Sequence, residues 1–534
     1  MPEMETARRR LDVALRHLRQ PSNKKASTTA PAAISSSARR PNLLVILTDD
    51  QGMWTLGSYG NKECRTPNLD GLASDGLLFR NFFCVSPVCS PARASMLTGR
   101  IPSQHGIHDW LAGGNTPAET DDGRLDEYLA GQSGYTDVLA ANGYVCGLSG
   151  KWHMGHSHKP QKGFSFWRPH TKGGGPYYNA PMVDVNSAEP AQFEEPRYVT
   201  DAFTDTAIEF LDGRATEPAA PWCCYVGYTA PHSPWGREHH PKEPWDRYHD
   251  SCPFASAPAF GRAVAPWVRG LSIPVESQET RREYLAGYYA SIEAMDSGVG
   301  RLLGWLDVHG QRDNTLVVFT SDNGFNCGHH GVWGKGNATS PINMYDESVK
   351  VPFILAGAGV SRHGEEERAL LSHYDWLPTV LDVLKLPPLE PSESITLPGR
   401  SFAHLLSRGG AAAANEEEED DDDAQQCVVY DEYGAVRMIR TASWKYIQEG
   451  STPRELYCLE SDPEEQVSLV GSADAAGKLA ELRARLDGWF EKHVDPARDG
   501  LLLPVTGSGQ GKLGTDSFNH STHRQVTRVT SGRS

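Results

Sequence analysis

Four short runs, NLLVIL (42–47), YVCGL (144–148), WCCYVGY (222–228) and TLVVFT (315–320), are apolar almost throughout and do not alternate with polar positions. A strand of that kind is covered on both faces, as in a largely parallel sheet held between helices. Segments with apolar residues at helical spacing fill the gaps. They are TDAFTDTAIEFLDG (200–213) before the third run and REYLAGYYASIEAMDSGVGRLLGWLDVHG (282–310) before the fourth. HYDWLPTVLDVLKL (373–386) is another, and the aromatics of these helices read as packing residues. Near the C-terminus the pattern changes to strand-like CVVYDEY, VRMIRT and WKYIQEG, followed by the amphipathic helix KLAELRARLDGWFEKHV.

The residues just past each apolar run carry the chemistry. The four runs end in TDD, SGKWHMGH, TAPHSP and SDNG, so carboxylates, a lysine and histidines sit at four strand ends. In an open α/β sheet the ligand crevice lies beyond the carboxyl ends of the strands, and these tips are expected to converge there.

Length and composition divide the chain. At 534 residues it exceeds one simple core, and we expect a catalytic domain over 41–407 and a smaller α+β unit over 427–500. Between them, residues 408–426 form an acidic low-complexity insertion containing EEEEDDDD. Residues 1–40 read as a disordered arm and 501–534 as a flexible tail. The net charge of −17 argues against nucleic acid as a partner. No apolar run reaches eighteen residues, so a soluble chain without a membrane span is expected. The first forty residues contain no clear secretory signal, which leaves the compartment open. Ten cysteines, among them the adjacent Cys223 and Cys224, define no disulfide framework, and nothing here sets the oligomeric state.

The stretch FFCVSPVCSPARASMLTGR (82–100) poses a specific question. Ser90 suits a helix cap, Pro91 the first turn and Gly99 the position just past the end. Cys89 would then face the unsatisfied amides of a helix start, with Arg93 one turn on. Locally, this is either an anion-binding corner or a buried thiol beside an ordinary helix.

Two further groups stand out. Asp49, Asp50, Asp322 and Asn323 offer three carboxylates and an amide oxygen at two strand tips, which suits a hard divalent cation better than zinc. Each pair alone also fits an ordinary turn. Lys151, His153, His156, His232 and Lys335 could hold an anion and move protons around such a cation, although each alone is commonly a surface or hydrogen-bonded residue.

CSPAR followed by SMLTGR resembles the signature of the type I sulfatases, formylglycine-dependent members of the alkaline-phosphatase superfamily. ILTDDQG, GKWHMGH, PHSP, FTSDNG and GKGN with MYDESVKVPFIL are similar to further blocks of that family, in its order, from about residue 42 to 352. VRMIRTASWKYI and ELYCLESDPEEQVSLV resemble its C-terminal subdomain. The resemblance implies an alkaline-phosphatase-like α/β fold: a large mixed, mostly parallel sheet flanked by helices, with a smaller C-terminal α+β subdomain. It also implies hydrolysis of a small-molecule or carbohydrate sulfate ester to alcohol and sulfate.

Carried over residue by residue, Cys89 would be oxidised to formylglycine by a formylglycine-generating enzyme, and its hydrate would attack sulfur and then expel sulfate. Asp49, Asp50, Asp322 and Asn323, together with modified Cys89, would hold Ca2+, with Mg2+ or Mn2+ as alternatives. Arg93 and Lys151 would orient the diol, His153 would act as base in releasing sulfate, and His232 with Lys335 would grip sulfate and protonate the leaving oxygen. His156, His329 and His330 receive no role. Asn337 opens an NAT sequon expected to stay unglycosylated beside Lys335, and NHS at Asn519 is a freer one. Trp110, Trp152 and Trp333 are compatible with a carbohydrate. The rival readings are a phosphonate or phosphodiester hydrolase of the same superfamily and a catalytically silent sulfated-glycan binder.

Overall fold

The computed structural model describes residues 40–116, 127–186, 191–216, 220–389, 396–409, 426–431, 435–502 and 509–510. The expected N-terminal arm, most of the acidic insertion and Asn519 lie outside these residues.

Each of the four apolar runs forms a strand: β1 (Asn42–Thr48), β3 (Val145–Lys151), β7 (Trp222–Gly227) and β8 (Thr315–Ser321). They lie side by side in the order β8-β1-β7-β3, all parallel. β2 (Gly76–Phe79), β4 (Phe164–His170), β5 (Ala180–Asp184), β6 (Ala191–Glu195), β9 (Phe353–Gly357) and β10 (Glu365–Glu367) complete a ten-stranded mixed sheet ordered β10-β2-β9-β8-β1-β7-β3-β4-β5-β6. Its middle is parallel, and antiparallel pairs begin at β9 and β5.

The lack of alternation in β1 has a direct cause. Leu43, Val45 and Leu47 point into one core while Leu44 and Ile46 point into a second on the opposite face, all 1% exposed or less. Both faces are roofed by helices, so no position on the strand reaches water. The second core is closed by α2 (Val199–Ala215) and the long α3 (Gln278–Val308); the first takes in α1 (Cys89–Thr98) and α4 (His373–Val383).

The C-terminal strands β11 (Cys427–Asp431), β12 (Val436–Arg440), β13 (Trp444–Glu449) and β14 (Thr452–Cys458) form an antiparallel meander. One face buries Val428, Tyr430, Ile439 and Leu456 against α5 (Ala476–His493). The other face sends Val429, Met438, Ile447 and Tyr457 into the same core as α1. The described chain from Arg40 onward accordingly forms one compact unit. The described residues of the expected tail include Gly509 and Gln510. Gln510 is 1% exposed and bridges to Leu111, because its amide finds backbone partners there. All ten cysteines are free, and among the described residues no helix is long and apolar enough to cross a membrane.

Candidate active site

The site begins with the register of three strands. β1 pairs with β8 as far as Thr48 and Ser321, so Asp49 and Asp50 leave the sheet beside Asp322 and Asn323. Lys151 is the last residue of β3, two strands away. The bonds between these tips define the locus. The Asp50 amide donates to Asp322 Oδ1 at 3.2 Å, and Asn323 Nδ2 donates to Asp50 Oδ1 at 2.8 Å. Asp50 holds a left-handed backbone (φ 63°), as does His153 (φ 57°), a strain of about 1–3 kcal/mol each that surrounding contacts must sustain.

α1 delivers the cysteine and the arginine from the other side. The helix starts at Cys89 itself, one residue before the expected cap, with Val88 as its flanking residue. Ser90 therefore lies inside the first turn, and its Oγ accepts the Leu111 amide at 3.1 Å instead of capping. Gly99 ends the helix in a left-handed conformation (φ 65°), which glycine adopts without a Cβ clash. Arg93, 1% exposed, donates from Nε to Asp322 Oδ2 at 2.7 Å and from its other nitrogens to the Lys151 and Thr48 carbonyls.

Three cations thus face three carboxylates. Lys151 Nζ lies 2.5 Å from Asp49 Oδ2, and Lys335 Nζ lies 2.7 Å from Asp50 Oδ1 and 2.6 Å from Cys89 Sγ. Burial works against every charge here. It pushes the Cys89 thiol up to about 12 despite Lys151 and Lys335, and it raises Asp49 even beside Lys151. For Asp322 burial is outweighed by Arg93, Lys151 and Lys335, and for Asp50 by Lys335 and His232, so both stay below the usual carboxylate range.

Asp49, Asp50 and Asp322 each present an oxygen within 4.8 Å of the others. Asp49 Oδ1 and Asn323 Oδ1 are buried without a hydrogen-bond partner among the described residues. Buried polar oxygens are rarely left unpaired, and an all-oxygen donor set of this kind fits a hard divalent cation.

The histidines divide. His232 Nδ1 donates to its neighbour's carbonyl at Ser233 (2.8 Å), which leaves Nε2 facing Asp50 Oδ2 at 3.7 Å. His153 Nε2 lies 3.1 Å from the Leu111 carbonyl; a carbonyl only accepts, so the proton is on Nε2 and Nδ1 carries the lone pair. Burial, with Lys151 adding to it, holds His153 well below the ordinary histidine value, so it is neutral.

His156 is half-buried, its amide donating to the Gly114 carbonyl. His329 accepts the Cys327 amide and packs on Trp54, and His330 stacks flat on Tyr345 at 3.6 Å. Trp152 is fully buried against Trp167 and Phe164, so it is a core residue and has no surface to offer a sugar.

Sequence reading missed other parts of the site. Tyr288, on a helix whose aromatics read as packing residues, donates to the Asp50 carbonyl at 2.6 Å and accepts the Gly52 amide at 3.0 Å. Nothing in its local sequence marks it. The run Gly173–Gly174–Gly175 did carry a signal. None of the three has a positive φ, so conformational freedom is not their reason. A Cβ on Gly173 would come 2.2 Å from the His153 ring and one on Gly174 2.8 Å from His232, so bare backbone lines both imidazoles.

The chain is similar to known sulfatases. A family model described as Sulfatase matches residues 41–386. The N-acetylglucosamine-6-O-sulfatase of Bacteroides thetaiotaomicron is 26% identical over 529 residues, covering 86% of this chain and 87% of its own length. A solved structure of a protein in complex with its substrate D-glucosamine-2-N,6-O-disulfate superposes with a TM-score of 0.70 at 24% identity, covering 86% of this chain and 99% of the other. The phosphonate monoester hydrolase of Agrobacterium radiobacter reaches 0.63 at 23% identity, covering 85% and 96%.

Proposed function

This chain belongs to the sulfatase family, enzymes with an alkaline-phosphatase-like fold, and from that premise we propose that it releases sulfate from a sulfated sugar, using residue 89 as formylglycine and a divalent cation. The observation that carries the reading is the placement of Cys89 Sγ beside Lys335, with Asp49, Asp50 and Asp322 converging at the same strand tips. A thiol that burial pushes up to about 12 is a poor thiolate nucleophile.

Asp49, Asp50, Asp322 and Asn323 would hold the cation, Ca2+ with Mg2+ or Mn2+ as alternatives, and its chemistry there would be to polarise sulfate oxygens. Oxidised and hydrated, residue 89 supplies one oxygen for attack on sulfur and a second hydroxyl whose deprotonation expels sulfate. Arg93 and Lys151 fix the strand tips and offset the negative charge around residue 89. His153, neutral with a free Nδ1 lone pair, takes the proton from that second hydroxyl. Lys335 and His232 grip the sulfate group, and one of the pair in its protonated form donates to the departing sugar oxygen. In this reading residues 41–407 carry the catalysis, and 427–500 contact the chain at Ile342, Met344 and Asp346.

The sugar assignment rests on the relative that acts on N-acetylglucosamine 6-sulfate and on the neighbour bound to a sulfated glucosamine. Mass spectrometry of the Cys89 peptide, combined with sulfate release from glucosamine 6-sulfate and an aryl sulfate, tests the proposal. Turnover by a protein whose residue 89 is an unmodified thiol would exclude the mechanism. Faster release from an aryl phosphonate than from the matching sulfate would favour the phosphonate chemistry that the same fold carries in Agrobacterium.

A further inference from the structure

Gly509 and Gln510 of the C-terminal tail dock against one side of a segment whose other side touches the site. Gln510 accepts the Ala112 amide on its own carbonyl (3.0 Å) and donates its amide to the Trp110 carbonyl (2.8 Å), a one-residue parallel bridge to Leu111. Its side chain adds two bonds: Oε1 accepts the His108 amide at 2.8 Å and Nε2 donates to the Gly106 carbonyl at 2.9 Å. Gly509 lies against Trp110 so closely that a Cβ there would come 2.6 Å from its ring.

In extended chain, successive peptide groups face opposite sides. Because the Trp110 carbonyl and the Ala112 amide are turned toward Gln510, the amide and carbonyl of Leu111 are turned away from it. Those two groups are the ones that reach the site. The Leu111 amide donates to Ser90 Oγ, next to Cys89, and its carbonyl accepts His153 Nε2. Leu111 is 1% exposed, so water is not available to replace either bond cheaply.

We propose that Gln510 is a positioning residue: from the end of the chain it clamps residues 106–112, so that Leu111 holds the start of the Cys89 helix and the tautomer and orientation of His153. The clamp rests on the proposed sulfatase mechanism only in the roles of residue 89 and His153. It acts by placement, which matters because an error of an ångström in a reacting group costs a large factor in rate while substrate binding through Lys335 and the cation is untouched.

The test uses the full chain with Gln510→Ala, which removes the side-chain bonds, and Gln510→Pro, which removes the amide donor of the bridge. Hydrogen exchange at the Leu111 and Ala112 amides is expected to speed up in both variants, more in the proline variant. Sulfate release is expected to lose about tenfold to a hundredfold in kcat with KM within about twofold. Exchange as slow as in the parent chain, or faster exchange with kcat unchanged, would each overturn the proposal. The exchange measurement needs no turnover, so a parent chain that releases no sulfate would defeat the functional reading while the clamp is still judged on its own.

Discussion

Two clusters of buried charge in this protein are built from the same parts and do different things. At the strand tips Asp49, Asp50 and Asp322 meet Arg93, Lys151 and Lys335; beneath the C-terminal sheet Asp346 and Glu465 meet Lys445. In both, the lysine or arginine side chains are nearly or fully hidden from water. In the second cluster Lys445 Nζ makes ion-pair contacts with Asp346 Oδ1 and Glu465 Oε1, although neither oxygen accepts a hydrogen bond among the described residues, and it donates to the Met344 carbonyl. In the first, Asp49 Oδ1 and Asn323 Oδ1 point inward and pair with nothing described. Burial of charge alone therefore does not mark a site. What distinguishes the strand tips is the set that converges there: three carboxylates with oxygens within 4.8 Å of one another, and Cys89 Sγ beside Lys335.

The sharpest way to break that comparison is to remove one ligand from the first cluster. Asp322→Asn, which keeps the shape but not the charge, should lower kcat by roughly 10³-fold or more, the scale on which preorganised electrostatic groups act, while circular dichroism stays native. An active Asp322→Asn enzyme would reduce the two clusters to the same structural kind.

Removing the cation of the second cluster should instead be felt in stability. Lys445→Met leaves Asp346 with Lys350 at 3.6 Å and Glu465 with the Asp346 amide but takes away the buried cation between them, at a cost of about 3–5 kcal/mol in urea unfolding. Residual folded enzyme should keep its KM, since Lys445 touches neither Cys89 nor the aspartates of the strand tips. Calcium should separate the clusters next. At a hundredfold excess over its dissociation constant a ligand adds about 2.7 kcal/mol to stability, so the unfolding midpoint of chelator-treated protein should rise on adding calcium. Asp322→Asn should abolish that response and Lys445→Met should preserve it.

The smallest effect is a pH slope. Burial, only partly offset by Lys445, raises Glu465 to about 7 from an ordinary 4.5. The folded chain then holds a proton that the unfolded chain releases between those values, so stability falls as pH rises through that window. Glu465→Gln should flatten the urea midpoint between pH 4.5 and 7; an unchanged slope would show that the carboxyl is ionised throughout.

How much of this could be read from the chain depends on the distance over which each feature is encoded. The strands β1, β3, β7 and β8 and the residues at their tips were legible, since a doubly covered strand must be apolar at every position and the polar residues that end it are its neighbours. The helix start differs from the local reading by two residues, because Ser90 is a good cap by local rules and only the Leu111 amide, packed from elsewhere, takes its hydroxyl into another bond. Trp152, compatible with a carbohydrate by sequence alone, is core, packed against Trp167 and Phe164.

By itself the sequence determined the layered α/β architecture and the kind of chemistry at the sheet edge, both written in period and in adjacency. Tertiary structure alone decided which oxygens remain unpaired, that Gly173 and Gly174 back two histidines, and that Gln510 closes on Leu111 from 399 positions away. These are contacts between segments with no shared local pattern. Hydrogen-bond capacity at one end of such a contact leaves no trace in the residues that surround the other.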